Sequence, residues 1–244
     1  MPNSGYDGIA EEYYQPGHRT SRNFDEATTA LLSRLRITVR DGSVLEVGAG
    51  RGRALEFLDV DPSRVVQLDN SEAMLQLQPR ERSLLRVHAD ACQIPLIGQQ
   101  FSAVVGFLVD PFMGLDFLAE AYRMLVVGGL LLLTVPTRVW GKPLRDQLGI
   151  DVMTTRFKVL GTEKTLILPS LLHSPERLTE MLSLSGHKMP SLRQAPIHRN
   201  RRQGALPQAS HPEIARFSLF FRCAKVSREE WHKHCYARDD HQSP

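Results

Sequence analysis

Between residues 43 and 135, short apolar runs alternate with segments of helical period, and the apolar runs are not broken by polar residues at every second place. Ser43 to Val47, Arg64 to Leu68, Leu84 to His88, Ala103 to Val109 and Leu130 to Val135 each read as a strand. A strand with one wet face shows a period of two, whereas a continuous apolar run is expected where both faces are covered. Helices belong between them: Gly52 to Leu58, a segment capped by Ser71 that carries Met74 and Leu75, and Leu115 to Leu125, with Gly128 and Gly129 ending it. A further helix, Phe24 to Arg36, precedes the first strand, with Ala27, Ala30, Leu31 and Leu35 at helical spacing. Strand–helix alternation with doubly covered strands predicts an α/β fold, a doubly wound, mostly parallel sheet with helices on both faces.

After Pro136 the periodicity is lost. Residues 137–172 read as a long insertion or cap after strand five. Ser174-Pro175-Glu176 then signals a helix start, a capping hydroxyl followed by proline at the first helical position and an acid in the first turn. That helix runs to about Ser185, and Gly186 ends it. Gln194 to Ser210 is polar and flexible in composition. Phe217 to Val226 is a last strand, and residues 228–244 form a polar tail.

Composition excludes several classes. Of the 244 residues, 42% are hydrophobic and 23% charged, the balance of an ordinary globular chain. No apolar run approaches the roughly 20 residues that cross a bilayer, and the N-terminus lacks the basic and apolar regions of a secretory signal. Cys92, Cys223 and Cys235 are scattered and form no CxxC pair, so no metal site is expected and a cytoplasmic setting is the default. His232-Lys233-His234-Cys235 is too isolated to change this. Charge is uneven. Residues 186–227 hold eight basic side chains and one acidic one, among them Arg193, Arg199, Arg201, Arg202, Arg216 and Arg222, on a mildly acidic body. Such a segment is either a solvated surface or a site for an anion such as nucleic acid.

The first strand leads into Val44-Leu45-Glu46-Val47-Gly48-Ala49-Gly50-Arg51-Gly52. Glycines at this turn permit a tight reversal and let backbone N–H groups approach a ligand. The dinucleotide pattern GxGxxG fails, because its sixth position is Arg53. The spacing ExGxGxG resembles motif I of the class I S-adenosylmethionine-dependent methyltransferases. Asp69 ends the second strand, Asp90 follows the third in His88-Ala89-Asp90-Ala91, and Phe101-Ser102-Ala103-Val104-Val105 and Tyr122-Arg123-Met124-Leu125 with Gly128-Gly129 resemble later parts of that family. Tyr6-Asp7-Gly8-Ile9-Ala10, with Tyr13 and Tyr14, is similar to its cofactor-covering segment. Val126-Val127, Ser102 and Asn70 depart from the usual Lys-Pro, Asp and apolar residue.

The resemblance implies a Rossmann-like, seven-stranded domain over residues 1–227, with residues 1–36 covering the cofactor. It implies S-adenosyl-L-methionine as cofactor and contacts to it from Tyr6, Tyr14, Glu46, Gly48, Ala49, Gly50, Asp69, Asn70, Asp90, Ala91 and Phe107. Each acid also has a structural use: Glu46 beside a helix dipole, Asp69 and Asp90 as caps. The implied reaction is methyl transfer by in-line displacement to an O, N or C acceptor on a small molecule. An RNA methyltransferase using the basic segment, and a binding module without turnover, are the alternatives. Asp110, in Val109-Asp110-Pro111-Phe112, and His173 are the candidate bases, and Trp140 and Phe112 are candidates for an acceptor pocket.

Overall fold

The computed structural model describes residues 5–33, 37–39, 41–77, 84–196 and 216–225. A 3-10 turn at Asp7–Ile9 leads into α1 (Ala10–Tyr13), then α2 (Arg19–Leu32), β1 (Ile37–Thr38), β2 (Ser43–Val47), α3 (Ala54–Phe57) and β3 (Leu58–Asp59). Next come β4 (Val65–Asp69), α4 (Glu72–Gln76), β5 (Leu85–His88), β6 (Phe101–Phe107), α5 (Leu115–Met124) and β7 (Leu125–Pro136). The chain continues with α6 (Arg138–Leu148), β8 (Thr154–Lys158), β9 (Thr165–Pro169), α7 (Pro175–Leu184), β10 (His187–Pro196) and β11 (Arg216–Lys225).

Seven strands form the central sheet in the order β10-β11-β7-β6-β2-β4-β5. The five from β7 to β5 are parallel, and β11 and β10 continue the sheet antiparallel. The chain winds outward from β2 through β4 to β5, then returns to β6 on the other side of β2. The two halves therefore part between β2 and β6, and their carboxyl ends flank the crevice where such sheets take ligands.

Adjacent residues of one strand feed opposite cores, which is why these strands lack polar alternation. Leu45 and Val104 belong to one cluster, with Phe117, Leu118, Met124 and Leu178 from α5 and α7. Val44, Ala103 and Val105 belong to the other, with Leu31 and Leu32 of α2 and Ala54 of α3. A third cluster joins Ile9 and Ala10 to Met74, Phe157 and Leu168, so the N-terminal segment packs on the β8–β9 hairpin.

Several boundaries differ from the sequence reading. The first long helix, Arg19–Leu32, starts before the expected Phe24 and without a side-chain cap to mark it, and its expected end at Arg36 lies outside the described residues. Strand β7 starts at Leu125, directly after the helix, and runs through Gly128-Gly129 instead of following them. Gly128 sits at φ +79°, and a Cβ on Gly129 would press on the Val126 and Phe101 carbonyl oxygens, so the pair serves an irregular strand start opposite a register shift. The aperiodic stretch 137–172 holds a regular helix and a hairpin. Thr137 Oγ1 accepts from Trp140 N and caps α6, while Gly141 and Pro143 within it hide its period. Gly141 is required there because a Cβ would collide with Leu172. Strand β10 occupies the start of the stretch expected to be flexible. The arginine-rich 197–215, His232 to Cys235 and the rest of the 228–244 tail lie outside the described residues. Among the described residues no helix is long and apolar enough to cross a membrane, and no group of three or more His, Cys, Asp or Glu could hold a metal.

Candidate active site

The turn after β2 is built for glycine. Gly48, Gly50 and Gly52 have φ of 61°, 50° and 77°, a region that costs other residues about 1–2 kcal/mol. A Cβ on Gly48 would press on the Phe112 ring at 3.0 Å, and one on Gly50 would run into the Tyr14 hydroxyl. The loop is pinned from below: Ala49 N donates to the Leu68 carbonyl at 3.0 Å, and Gly50 N donates to Asp69 Oδ2 at 2.8 Å.

Glu46 is buried under this loop. Its Oε1 accepts from Arg53 N at 2.7 Å and Ala54 N at 2.8 Å, the free amides at the start of α3, and its Oε2 accepts from Gln67 Nε2 at 2.8 Å. Burial pushes its carboxyl up to about 7, against the pull of those three donors. Glu46 thus holds the loop's shape and also borders the cavity above it. Asp69, at the end of β4, accepts from Ser71 N at 2.9 Å besides Gly50 N. Burial raises its carboxyl, and the backbone donors oppose the rise.

A cavity of about 540 Å³ opens above the loop. Tyr6, Tyr14, Glu46, Gly48, Ala49, Gly50, Asp69, Asn70 and Phe107 all border it. Asp90 and Ala91, expected in the same set, do not. Ala91 is buried in the core, and Asp90 is exposed on the neighbouring strand end, where its Oδ1 accepts from Cys92 N at 2.8 Å. Asp90 thus closes a turn onto its own backbone, and no helix follows for it to cap.

The N-terminal segment forms the roof. Asp7 Oδ1 accepts from Ser71 Oγ at 2.6 Å, and Glu12 Oε2 accepts from Leu160 N at 3.0 Å. Asp25 of α2 bridges both arginines of the glycine loop, Arg51 at 2.6 Å and Arg53 at 2.8 Å, and Arg53 also donates to Thr29 Oγ1 at 2.7 Å. Tyr13 stacks on Phe157 of the hairpin, and His18 lies flat on the same ring at 3.9 Å.

Of the two candidate bases, the structure brings only Asp110 to the cavity. Its Oδ2 accepts from the Ser170 hydroxyl, and burial lifts its carboxyl to about 6. His173 points elsewhere: its Nε2 lies 2.7 Å from the Met113 carbonyl, which can only accept, so that nitrogen carries the proton and is committed. Phe112 and Trp140 both border the cavity, as do His18, Phe24, Asp25, Arg145 and Ser170, which sequence reading missed. Only the cap at Thr137 hints at α6, and nothing local marks Arg145 or Ser170 as neighbours of Asp110.

The site offers a carboxylate beside a glycine cradle, aromatic walls and a volume within the range of small-ligand pockets. Those features fit a nucleoside bearing vicinal hydroxyls: Asp69 keeps acceptor capacity beyond its backbone donors, and only glycine lets the loop approach so closely.

Residues 45–133 match the family described as a methyltransferase domain. A Mycolicibacterium smegmatis protein named as a probable S-adenosylmethionine-dependent methyltransferase is 30% identical over 106 residues, which are 42% of this chain and 41% of that protein. The chain thus spans about two-fifths of that relative's length. Among solved structures, an S-adenosylmethionine-dependent methyltransferase from Thermotoga maritima superposes with a TM-score of 0.59 at 20% identity, covering 91% of this chain and 98% of the other. A complex of the Trm112 methyltransferase activator with a methyltransferase from Haloferax volcanii gives a TM-score of 0.63 at 15% identity, over 93% and 100%.

Proposed function

We propose that this chain, whose residues 45–133 match a methyltransferase domain, is a class I S-adenosylmethionine-dependent methyltransferase that transfers a methyl group to a small molecule held in the cavity above its glycine loop. The observation that carries this reading is the continuity of the cavity. One wall is the loop Gly48–Gly50 with Asp69, and another is Asp110 with the aromatic residues of α2, α6 and the hairpin. A cofactor and a small acceptor can therefore share one space, as an in-line displacement requires.

S-adenosyl-L-methionine, when bound, supplies an electrophilic methyl carbon on a sulfonium. Asp69 would accept from the ribose hydroxyls, Glu46 would keep the loop open for the amino-acid part, and Phe107 and Asn70 border the same space. Tyr6, Tyr13 and Tyr14 close the roof and exclude water. Burial holds all three phenols above their usual range, so they remain neutral donors at working pH. Holding the acceptor in line supplies up to roughly 7–11 kcal/mol of the barrier in the ideal case.

Calorimetric titration with S-adenosyl-L-homocysteine tests the cofactor half. Binding at micromolar concentration, lost in Asp69→Ala, is expected. Absence of heat and of any thermal shift overturns the assignment. Incubation with labelled S-adenosyl-L-methionine and a cell extract tests the acceptor half, and label recovered only in RNA or protein would refute the small-molecule reading.

A further inference from the structure

Three side chains distant in sequence meet at one wall of the cavity. Asp110 follows β6, Arg145 lies on α6 and Ser170 follows β9, and none is more than 8% exposed. Arg145 Nη2 donates to Ser170 Oγ at 2.7 Å, and its Nη1 donates to the Ser170 carbonyl at 2.7 Å. Ser170 Oγ lies against Asp110 Oδ2, and Leu171 N donates to the Asp110 carbonyl at 2.9 Å. The polarity of this chain is set by chemistry. A guanidinium only donates, so the hydroxyl accepts from it, and its single proton is left for the carboxylate.

The surrounding wall is aromatic. Phe24 meets Trp140 edge-on at 5.1 Å, and Tyr13 stacks with Phe157 at 6.1 Å. Among the described residues, three arginines border the cavity. Arg53 is committed to Asp25, Glu56 and Thr29, Arg145 to Ser170, and Arg156 is exposed on the hairpin. An anionic substrate thus meets no uncommitted buried guanidinium among the described residues, whereas a flat uncharged ring finds aromatic surfaces at little desolvation cost.

We propose that Asp110 is the base that takes the proton from the methyl-accepting atom, that Ser170 and Arg145 are its positioning residues, and that the acceptor is a small uncharged aromatic molecule presenting an O–H or N–H. This rests on the methyl-transfer reading above. In the step, the acceptor's lone pair forms the new bond to the methyl carbon, the carbon–sulfur bond breaks with its pair going to sulfur, and the acceptor proton passes to an Asp110 oxygen and then to solvent. The charged and titratable groups facing Asp110 are Arg145 from α6 and Tyr6 and Tyr13 from the N-terminal segment. Neither tyrosine ionises near neutrality, so the carboxyl is the group that titrates.

The test uses a panel of uncharged phenols and aromatic amines beside their carboxylated and phosphorylated analogues, with labelled S-adenosyl-L-methionine. Methylation confined to the uncharged set is expected, and methylation of none of it, or of the anionic analogues alone, overturns the acceptor class. Asp110→Asn should lower kcat by about 100-fold or more and leave S-adenosyl-L-homocysteine affinity within twofold, whereas retained kcat overturns the base. Ser170→Ala should move the acidic limb of the kcat profile up by about one pH unit, and Ser170→Thr should restore it. A kcat loss with an unmoved limb refutes the positioning role. Carbon-13 resonances of aspartate-labelled protein give a readout without turnover. The Asp110 signal, recognised by its absence in Asp110→Asn, should titrate near 6, and higher in Ser170→Ala. A signal in the ordinary carboxylate range refutes the proposal. Wild-type protein that fails to bind S-adenosyl-L-homocysteine would instead bring down the methyl-transfer reading beneath it.

Discussion

Asp110 couples the site to stability through pH, and the size of the effect can be worked out. Its carboxyl is lifted from 3.8 to about 6, first by burial, with the Ser170 hydroxyl and Arg145 opposing the rise. At 1.36 kcal/mol per pH unit, ionising it in the folded protein costs about 3 kcal/mol more than in the unfolded chain. The folded state holds this proton to higher pH, so it binds more protons than the unfolded state between the two values, and stability falls as pH rises through that window. The substitution Asp110→Asn keeps a side-chain oxygen to accept from Ser170 and removes the titration. The difference in unfolding free energy, variant minus wild type, should therefore grow by about 2 kcal/mol from about pH 4.5 to about pH 7.5 and then level off. Glu46, lifted in the same direction to about 7, contributes to both proteins and cancels in the difference. Urea denaturation of both proteins at four pH values across that range is sufficient, provided the m-values agree. A difference that stays flat would mean that the Asp110 carboxyl titrates alike in folded and unfolded states, and the argument from burial would fail.

Three further outcomes can be checked. Gly50→Ala should cost about 1–2 kcal/mol through its φ of 50° alone, and displacement of Tyr14 should weaken S-adenosyl-L-homocysteine binding at least about tenfold by calorimetry; unchanged affinity would show that the loop does not touch the ligand. Asp25→Ala strips a carboxylate from Arg51 and the buried Arg53, so a loss of about 1–3 kcal/mol and faster limited proteolysis within residues 5–32 are expected, while Glu26→Ala, which breaks only an exposed pair with Arg22, should do neither. Charge reversal at Arg199, Arg201 and Arg202 should leave small-molecule methylation unchanged; RNA binding by the wild type that falls steeply with salt, with methylation lost on reversal, would favour the RNA alternative.

How much of this is legible in the sequence depends on where a contact's cause lies in the chain. The inner parallel strands are readable because coverage on both faces leaves a local mark, an unbroken apolar run, as in Val44-Leu45 and Ala103-Val104-Val105, whereas β5, at the sheet edge, is partly exposed and alternates as Leu85-Arg86-Val87-His88. Strand β7 reads short because Gly128-Gly129 carries the signature of a helix end, and only its partner β6, with the register shift opposite, turns the pair into a strand irregularity. Helix α6 escapes a local reading because its stabilising face is amphipathic around Gly141 and Pro143, and the close approach of Leu172 that makes glycine necessary is set by tertiary packing.

The same division runs through the site. A parallel sheet delivers residues to the cavity at its strand ends, so Glu46, Asp69 and Phe107 are spaced by the strand–helix repeat and can be located by counting. Asp90 shows the limit of counting: it stands at the expected strand end, yet its carboxylate turns to the Cys92 amide. The acceptor wall has no such repeat. Asp110, Arg145 and Ser170 come from a turn, a helix and a strand exit, and they meet only because β9 returns the chain past the end of β6, as the Leu171–Asp110 hydrogen bond records. Sequence nominates both Asp110 and His173. Packing separates them, by committing the His173 ring to the Met113 carbonyl and leaving Asp110 in the cavity. The cofactor side of such a site follows from the periodicity of the fold, whereas specificity for the acceptor depends on loops and caps whose contacts arise only once the chain has closed on itself.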